Sequence, residues 1–453
     1  MTELLRRKLS DLKAARWIAL AVVSFTMMCG YFITDVMAPL EDLLMRTYGW
    51  SSSEYGFFTG AYSWFNIFLL MLIFGGIILD KMGVRFTGLT SCIMMVSGAL
   101  IKAYAVSDWF PPLAGDFLGH DVQVVVAGVG FAVFGMGAEI TGITVSKIIV
   151  KWFTGHELAL AMGLQVALAR VGTACALAFS LPIAKHFEAV SAPIWLGALM
   201  LCIGLLSFLV YQVMDRRLDA SEEAPSITDQ PEEGFKLSDI KLIISNKGFW
   251  LIAFLCVLFY SGVFPFLKFA TKLMIYKYNV PDDFAGAIPS ILPFGTILLT
   301  PLFGSIYDRV GKGATLMLIG SCMLVVVHGL FAFPLINASW FATLNMVVLG
   351  IAFSLVPSAM WPSVAKIIPQ KQLGTAFSMV FYVQNWGLWG VPMLIGWAID
   401  RYAKLPGDVL AYDYTIPMLI FTLFGVLAVF VALLLKREDK IKGYGLEQPN
   451  IKA

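Results

Sequence analysis

The stretch Gly76-Ile-Ile-Leu-Asp80-Lys81-Met-Gly83-Val-Arg85 follows one long apolar run, and Gly304-Ser-Ile-Tyr-Asp308-Arg309-Val-Gly311-Lys312 follows another. Their shared G-x-x-x-D-[RK]-x-G pattern has a physical logic. The first glycine lets a helix approach its neighbour closely, the second turns a short loop, and the Asp and basic residues cap or bridge helix ends. Asp80, Lys81, Arg85, Asp308 and Arg309 are therefore expected to act on conformation at a membrane boundary, not on substrate. The repetition reaches further. Residues 135–172 and 350–387 align without gaps at an offset of 215, pairing Gly135 with Gly350, Lys151 with Lys366, Leu158 with Leu373 and Gly172 with Gly387. Between motif and block the first half is 13 residues longer, and the excess falls in the loop around Asp108–Asp121. A duplicated unit with substrate at the interface is transporter architecture.

Composition agrees. Of 453 residues, 59% are hydrophobic and 14% charged, against ~45–50% and ~25% in soluble domains. A mean hydropathy of +0.80 excludes a soluble enzyme, a nucleic-acid binder and a disordered scaffold. The six cysteines sit in apolar runs as small hydrophobes. There is no P-loop, no G-x-S-x-G elbow and no metal-ligand spacing among the four histidines. No cofactor and no enzymatic activity are expected.

Runs long enough to cross a bilayer, ~20 residues each, number twelve: 17–38, 55–79, 86–106, 122–148, 156–180, 193–214, 247–272, 284–306, 313–333, 338–364, 373–399 and 413–436. The expected fold is an all-α polytopic membrane protein with twelve transmembrane helices in two six-helix, pseudo-symmetric bundles, 1–214 and 247–453. The charged stretch 215–246 is read as the linker between them. The basic lead-in before residue 17 is read as part of an uncleaved first span. Lys and Arg, including Arg6, Arg7, Lys8, Lys236, Lys371 and Lys452, concentrate in alternate loops, which predicts both termini in the cytoplasm.

Ionisable groups inside a bilayer are functional candidates by default. Glu139 in span four and Arg170 in span five both fall near the midplane. They are either a standing salt bridge or a recognition pair in which Arg170 grips a carboxylate bidentately and Glu139 meets an ammonium. Their repeat partners, Ser354 and Asn385, are uncharged, which favours recognition. Asp35 and Lys268, near the outer ends of spans one and seven, form an outer gate, or Lys268 snorkels. Lys102 and His328 read as boundary residues that snorkel or hydrogen-bond there. Tyr62 and Asn66 in span two, with Gln384 and Asn385 in span eleven, complete the expected cavity lining. Tyr382 and Trp386 stand beside the latter pair, and tryptophans at such positions often pack against lipid.

Several stretches resemble the lysosomal dipeptide uniporter family of the major facilitator superfamily. They are Tyr62-Ser-Trp-Phe-Asn66, Phe134-Gly-Met-Gly-Ala-Glu139, Trp152-Phe-Thr-Gly-His-Glu-Leu158 with Gly163-Leu-Gln-Val-Ala-Leu-Ala-Arg170, Val263-Phe-Pro-Phe266, Trp361-Pro362, and Leu373-Gly-Thr-Ala376 with Gln384-Asn385. The resemblance implies a dipeptide substrate, with Glu139 at its amino end and Arg170 at its carboxyl end, and Asp35 matches an aspartate of the family's first helix. Phe65 replaces a proline of the family pattern, and Lys268 a small residue, which points to a preference for acidic peptides. MTELL lacks the acidic residue of a dileucine address, so a bacterial-type cytoplasmic (inner) membrane is expected. A monomer is expected too, moving substrate by alternating access as a uniporter or coupled to protons. Two rivals stay open: a small organic anion carrier clamping substrate with Arg170 and Lys268, and a non-transporting sensor.

Overall fold

The computed structural model describes residues 12–111, 115–117, 119–153, 156–221, 237–333, 335–369, 372–404 and 412–450. The basic residues before position 12, Lys236, Lys371, Lys452 and the middle of the expected linker (222–236) lie outside the described residues. Helix enters that linker from both sides: α8 (Ala192–Ser221) runs past residue 214, and α9 (Leu237–Ile244) follows.

α1 (Lys13–Asp35) crosses from the face that carries the first and last described residues, Leu12 and Asn450, here called the termini face, to the opposite one, the far face. There α2 (Glu41–Tyr48) ends at Gly49 in the left-handed conformation. α3 (Ser52–Ala61) starts on a capping box: Ser51 Oγ accepts from the Glu54 amide, and Glu54 accepts from the Ser51 amide. This reciprocal pair satisfies two otherwise orphan donors.

The second span is not one helix. After α3 the backbone breaks at Tyr62-Ser63, resumes as α4 (Trp64–Phe68), and breaks again at Leu69-Leu70 before α5 (Met71–Ala105). Leu70 is left-handed, with φ 53°. Composition does not announce these breaks, because the residues are as apolar as their neighbours. α5 merges the end of the second span with the third through Gly83, whose φ of 76° and ψ of 173° suit only glycine.

Each half then builds its own core. α5 packs on α6 (Val122–Phe153) and α8, and α1 packs on α7 (Leu158–His186) and α8. In the second half α10 (Lys247–Tyr278) packs on α15 (Leu373–Ala398) and α16 (Thr415–Lys442). α12 (Ala287–Val310) packs on α14 (Ser339–Ile367), and α13 (Gly313–Ala332) on α14 and α16. A four-residue turn, α11 (Asp282–Ala285), precedes α12. Ten of the described helical stretches are long and apolar enough to cross a membrane. The remaining two of the twelve spans are the broken second and the eleventh, α15, whose hydropathy Gln384 and Asn385 dilute.

The halves meet through α3 against α15 and α7 against α12. Gly56 shows how close the first contact is, since a Cβ there would lie 2.4 Å from the Pro392 carbonyl oxygen.

Candidate substrate site between the halves

Glu139 projects from α6 and Arg170 from α7, and both are half-buried. They are not paired with each other. Glu139 accepts a hydrogen bond from the Tyr62 hydroxyl at 3.0 Å, presented by the break between α3 and α4. No carboxylate among the described residues lies within the 4.0 Å of an ion pair from Arg170. Instead its guanidinium carbon stands 5.6 Å from the Tyr31 ring centre, 5.5 Å from Phe264 and 5.2 Å from Phe353. The standing salt bridge is therefore absent from this conformation.

Asn66, on α4, is fully buried, and neither atom of its amide has a hydrogen-bond partner among the described residues. On α15, Gln384 is buried and accepts a long contact from Cys256 Sγ at 3.6 Å. Asn385 donates to the Phe381 carbonyl at 3.0 Å, and its own carbonyl oxygen has no partner among the described residues. Trp386 is 41% exposed and stacks edge-on with Phe68 and Trp389, so it turns away from the buried amides beside it. Ser354, the repeat partner of Glu139, closes on its own helix at Gly350 O.

A dense seal lies on the far face. Lys268 donates to Asp35 Oδ1 at 2.6 Å and to the Thr34 carbonyl at 2.6 Å, while Thr173 donates to Asp35 Oδ2. Lys268 thus caps the C-terminal end of α1 from the other half instead of snorkelling, and its ammonium is already engaged. That removes the ground for expecting it to favour acidic peptides. One turn further, Lys272 pairs with Glu41 at 3.1 Å, each side chain 1% exposed. Tyr276 donates to Asp42 and accepts from Arg46, and Lys185 pairs with Asp282 and Asp283. Asp400, just past α15, accepts from the Ser52 and Ser53 amides at 3.1 and 2.6 Å and so caps α3 across the interface. Only the Asp35–Lys268 part of this seal was legible in the sequence. The other partners lie at helix ends and in the short helices α2 and α11, where charge is ordinary.

Lys102 and His328 are both fully buried. Lys102 donates to the Ile33 carbonyl at 2.7 Å with the Phe131 ring 4.5 Å away, and His328 Nε2 meets the Gly262 carbonyl at 2.7 Å. Their hydrogen bonds match the expectation, but snorkelling does not.

The duplicated loop motifs lie on the termini face with different partners. Asp80 pairs with Lys147 at 2.7 Å, and Arg85 with Asp215 and Asp219, which Lys151 also holds. Lys81 is exposed, as is Arg309. In the second copy Asp308 accepts from Asn450 Nδ2 at 2.7 Å. The tail after α16 lies along that loop: the Lys312 and Gly313 amides donate to the Glu447 and Leu446 carbonyls, and Lys366 donates to those of Gly445 and Gln448.

Two six-helix bundles, sealed at one face and enclosing a separated acid and base at their interface, define a secondary transporter of the membrane. The chain belongs to the Major Facilitator Superfamily, whose pattern matches residues 20–392. It is 28% identical over 403 residues to the lysosomal dipeptide transporter MFSD1 of Homo sapiens, covering 86% of this chain and 82% of that protein. MFSD1 of Mus musculus is 29% identical over 403 residues with the same coverage. Among solved structures, a bacterial homolog of the human lysosomal transporter Spinster, inward-facing and unoccupied, superposes with TM-score 0.72 at 14% identity, over 94% of this chain and 98% of that one. The nucleoside transporter NupG gives 0.67 at 16%, over 93% and 99%. At such identities these structures speak for the fold alone.

Proposed function

We propose that the protein carries dipeptides, or similar small zwitterions, by rocker-switch alternating access. The observation that carries this reading is the separation of Glu139 from Arg170. An acid and a base inside a membrane would ordinarily neutralise each other. Here Tyr62 holds one and aromatic rings hold the other, which leaves an anionic and a cationic end free for a molecule bearing both charges. Glu139 takes the ammonium and Arg170 the carboxylate, with Tyr62, Asn66, Gln384 and Asn385 lining the space between. The MFSD1 relatives support this substrate class. An organic anion clamped by Arg170 and Lys268 fits less well, because Lys268 is spent on Asp35.

With the termini in the cytoplasm, the sealed face is the outer one and the site opens inward. Asp35 and Lys268 gate the outer side, and Asp80, Lys81, Arg85, Asp308 and Arg309 steer the cytoplasmic loops of units 1–214 and 247–453 about the linker 215–246. The chain works as a monomer in a cytoplasmic membrane, and the cycle is a uniport. A proton-coupled cycle is distinguished by accumulation of substrate in liposomes against its gradient when a pH gradient is imposed.

The test is ligand-dependent thermal stabilisation, because ligand that binds only the folded state raises Tm. At equal concentration, dipeptides with both ends free should raise it far more than N-acetylated or C-amidated forms. Arg170→Ala should cut the shift to that of the C-amidated form while leaving the unliganded melt intact. Stabilisation by simple carboxylates alone, undiminished in Glu139→Gln, would overturn the proposal.

A further inference from the structure

We infer that Phe264 and Phe353 are positioning residues for Arg170, supplied by the second half to orient a cation anchored in the first. The inference rests on the reading of Arg170 as the carboxylate site. A guanidinium in the membrane interior needs compensation. The other cations described at this interface obtain it from anions: Lys268 from Asp35, Lys272 from Glu41, Lys185 from Asp282 and Asp283. Arg170 obtains it from rings. Tyr31 belongs to α1 in its own half, whereas Phe264 on α10 and Phe353 on α14 reach it across the interface.

The difference matters chemically. A carboxylate partner consumes the N–H donors of a guanidinium, while an aromatic face attracts the charge through its quadrupole and leaves those donors for a bidentate contact. The rings are themselves fixed. Phe264 and Phe353 meet edge-on at 5.3 Å. Tyr260 packs behind both, at 5.2 and 5.7 Å, and its hydroxyl accepts from Trp361 Nε1 at 3.2 Å. Rigid rings hold the charge in one orientation, and preorganisation of this kind raises affinity by lowering the cost of ordering.

The experiment measures dissociation constants of Ala-Leu and its C-terminal amide for wild type, Phe264→Leu, Phe353→Leu and Phe353→Tyr, each also in an Arg170→Gln background. Both leucine variants should weaken the free acid about three- to thirtyfold. Phe353→Tyr should stay within about threefold of wild type, and neither the amide nor the Arg170→Gln background should respond. Unliganded melts identify a variant that fails to fold, in which case the half-buried Phe264 site and Phe353→Met carry the comparison. Equal loss for acid and amide, or none for the acid, overturns the inference. If wild type binds propionate but no dipeptide, the same cycle is run with propionate: aromatic dependence then upholds the positioning role while the dipeptide reading falls. Binding of neither ligand sinks both.

Discussion

Asp400 is the least conspicuous of the charged residues in the far-face seal, yet its bonds to the Ser52 and Ser53 amides join the two halves at a helix start. Burial alone would raise its carboxyl. Hydrogen bonds from the Ser53 side chain and amide, the nearby Lys404 ammonium and the Ser52 amide outweigh that and hold it below the ordinary 3.8. A depressed carboxylate contributes stability above its unfolded pKa and loses it only as pH falls through the lower folded value. Mild acid, about pH 5, should therefore leave this cap intact. Asp400→Ala should cost about 0.5–2 kcal/mol at neutral pH, and melts at falling pH should show the gap to wild type closing below about pH 4. A gap that closed already at about pH 6 would contradict this assignment. Glu139 and Arg170 were legible at this scale because a charge inside an apolar run stands out. Phe264 and Phe353 were not, since a phenylalanine in a membrane helix is ordinary until its neighbour is known.

Among the elements, the two loop motifs look alike in sequence but are supported differently. Gly83 and Gly311 are both at positive φ, 76° and 73°. A Cβ on Gly83 would meet nothing within 4 Å, whereas one on Gly311 would lie 2.5 Å from backbone atoms of Gln448 and Pro449. Gly83→Ala should therefore cost only backbone strain, about 1–3 kcal/mol. Gly311→Ala should cost that and also displace the tail. In a chain ending after Gly443 the excess should vanish, a comparison that melting of the four proteins makes directly. Repetition revealed the motif. The tail was invisible because residues 443–450 carry no pattern and gain their role from lying against the second copy. The breaks in the second span were hidden likewise: non-helical backbone at membrane depth is allowed only where protein or a cavity shelters it, and shelter is a tertiary fact.

For the whole molecule, the twelve spans could be counted from apolar length, but the state of the two halves could not, because it lives in contacts that form and break. Lys272 and Glu41 show what breaking costs. Each is 1% exposed, so Lys272→Met alone, stranding Glu41, should destabilise the sealed state by about 3–5 kcal/mol, while adding Glu41→Gln should recover most of it. Spin-label distances across the far face would report the shift, and a double variant as open as the single one would refute the pairing. The seal also has an electrical consequence. Each of its lysines is held by anions at that face: Lys268 by Asp35, Lys272 by Glu41, Lys185 by Asp282 and Asp283. When the halves part, these charges stay at one face, and a zwitterion brings none of its own. The return stroke is then indifferent to voltage. A membrane potential, worth about 2.3 kcal/mol per charge per 100 mV, should leave the flux of Ala-Leu through proteoliposomes unchanged and bias that of a lysyl peptide, so the cell's battery would sort cargo by side-chain charge though the carrier itself draws no current.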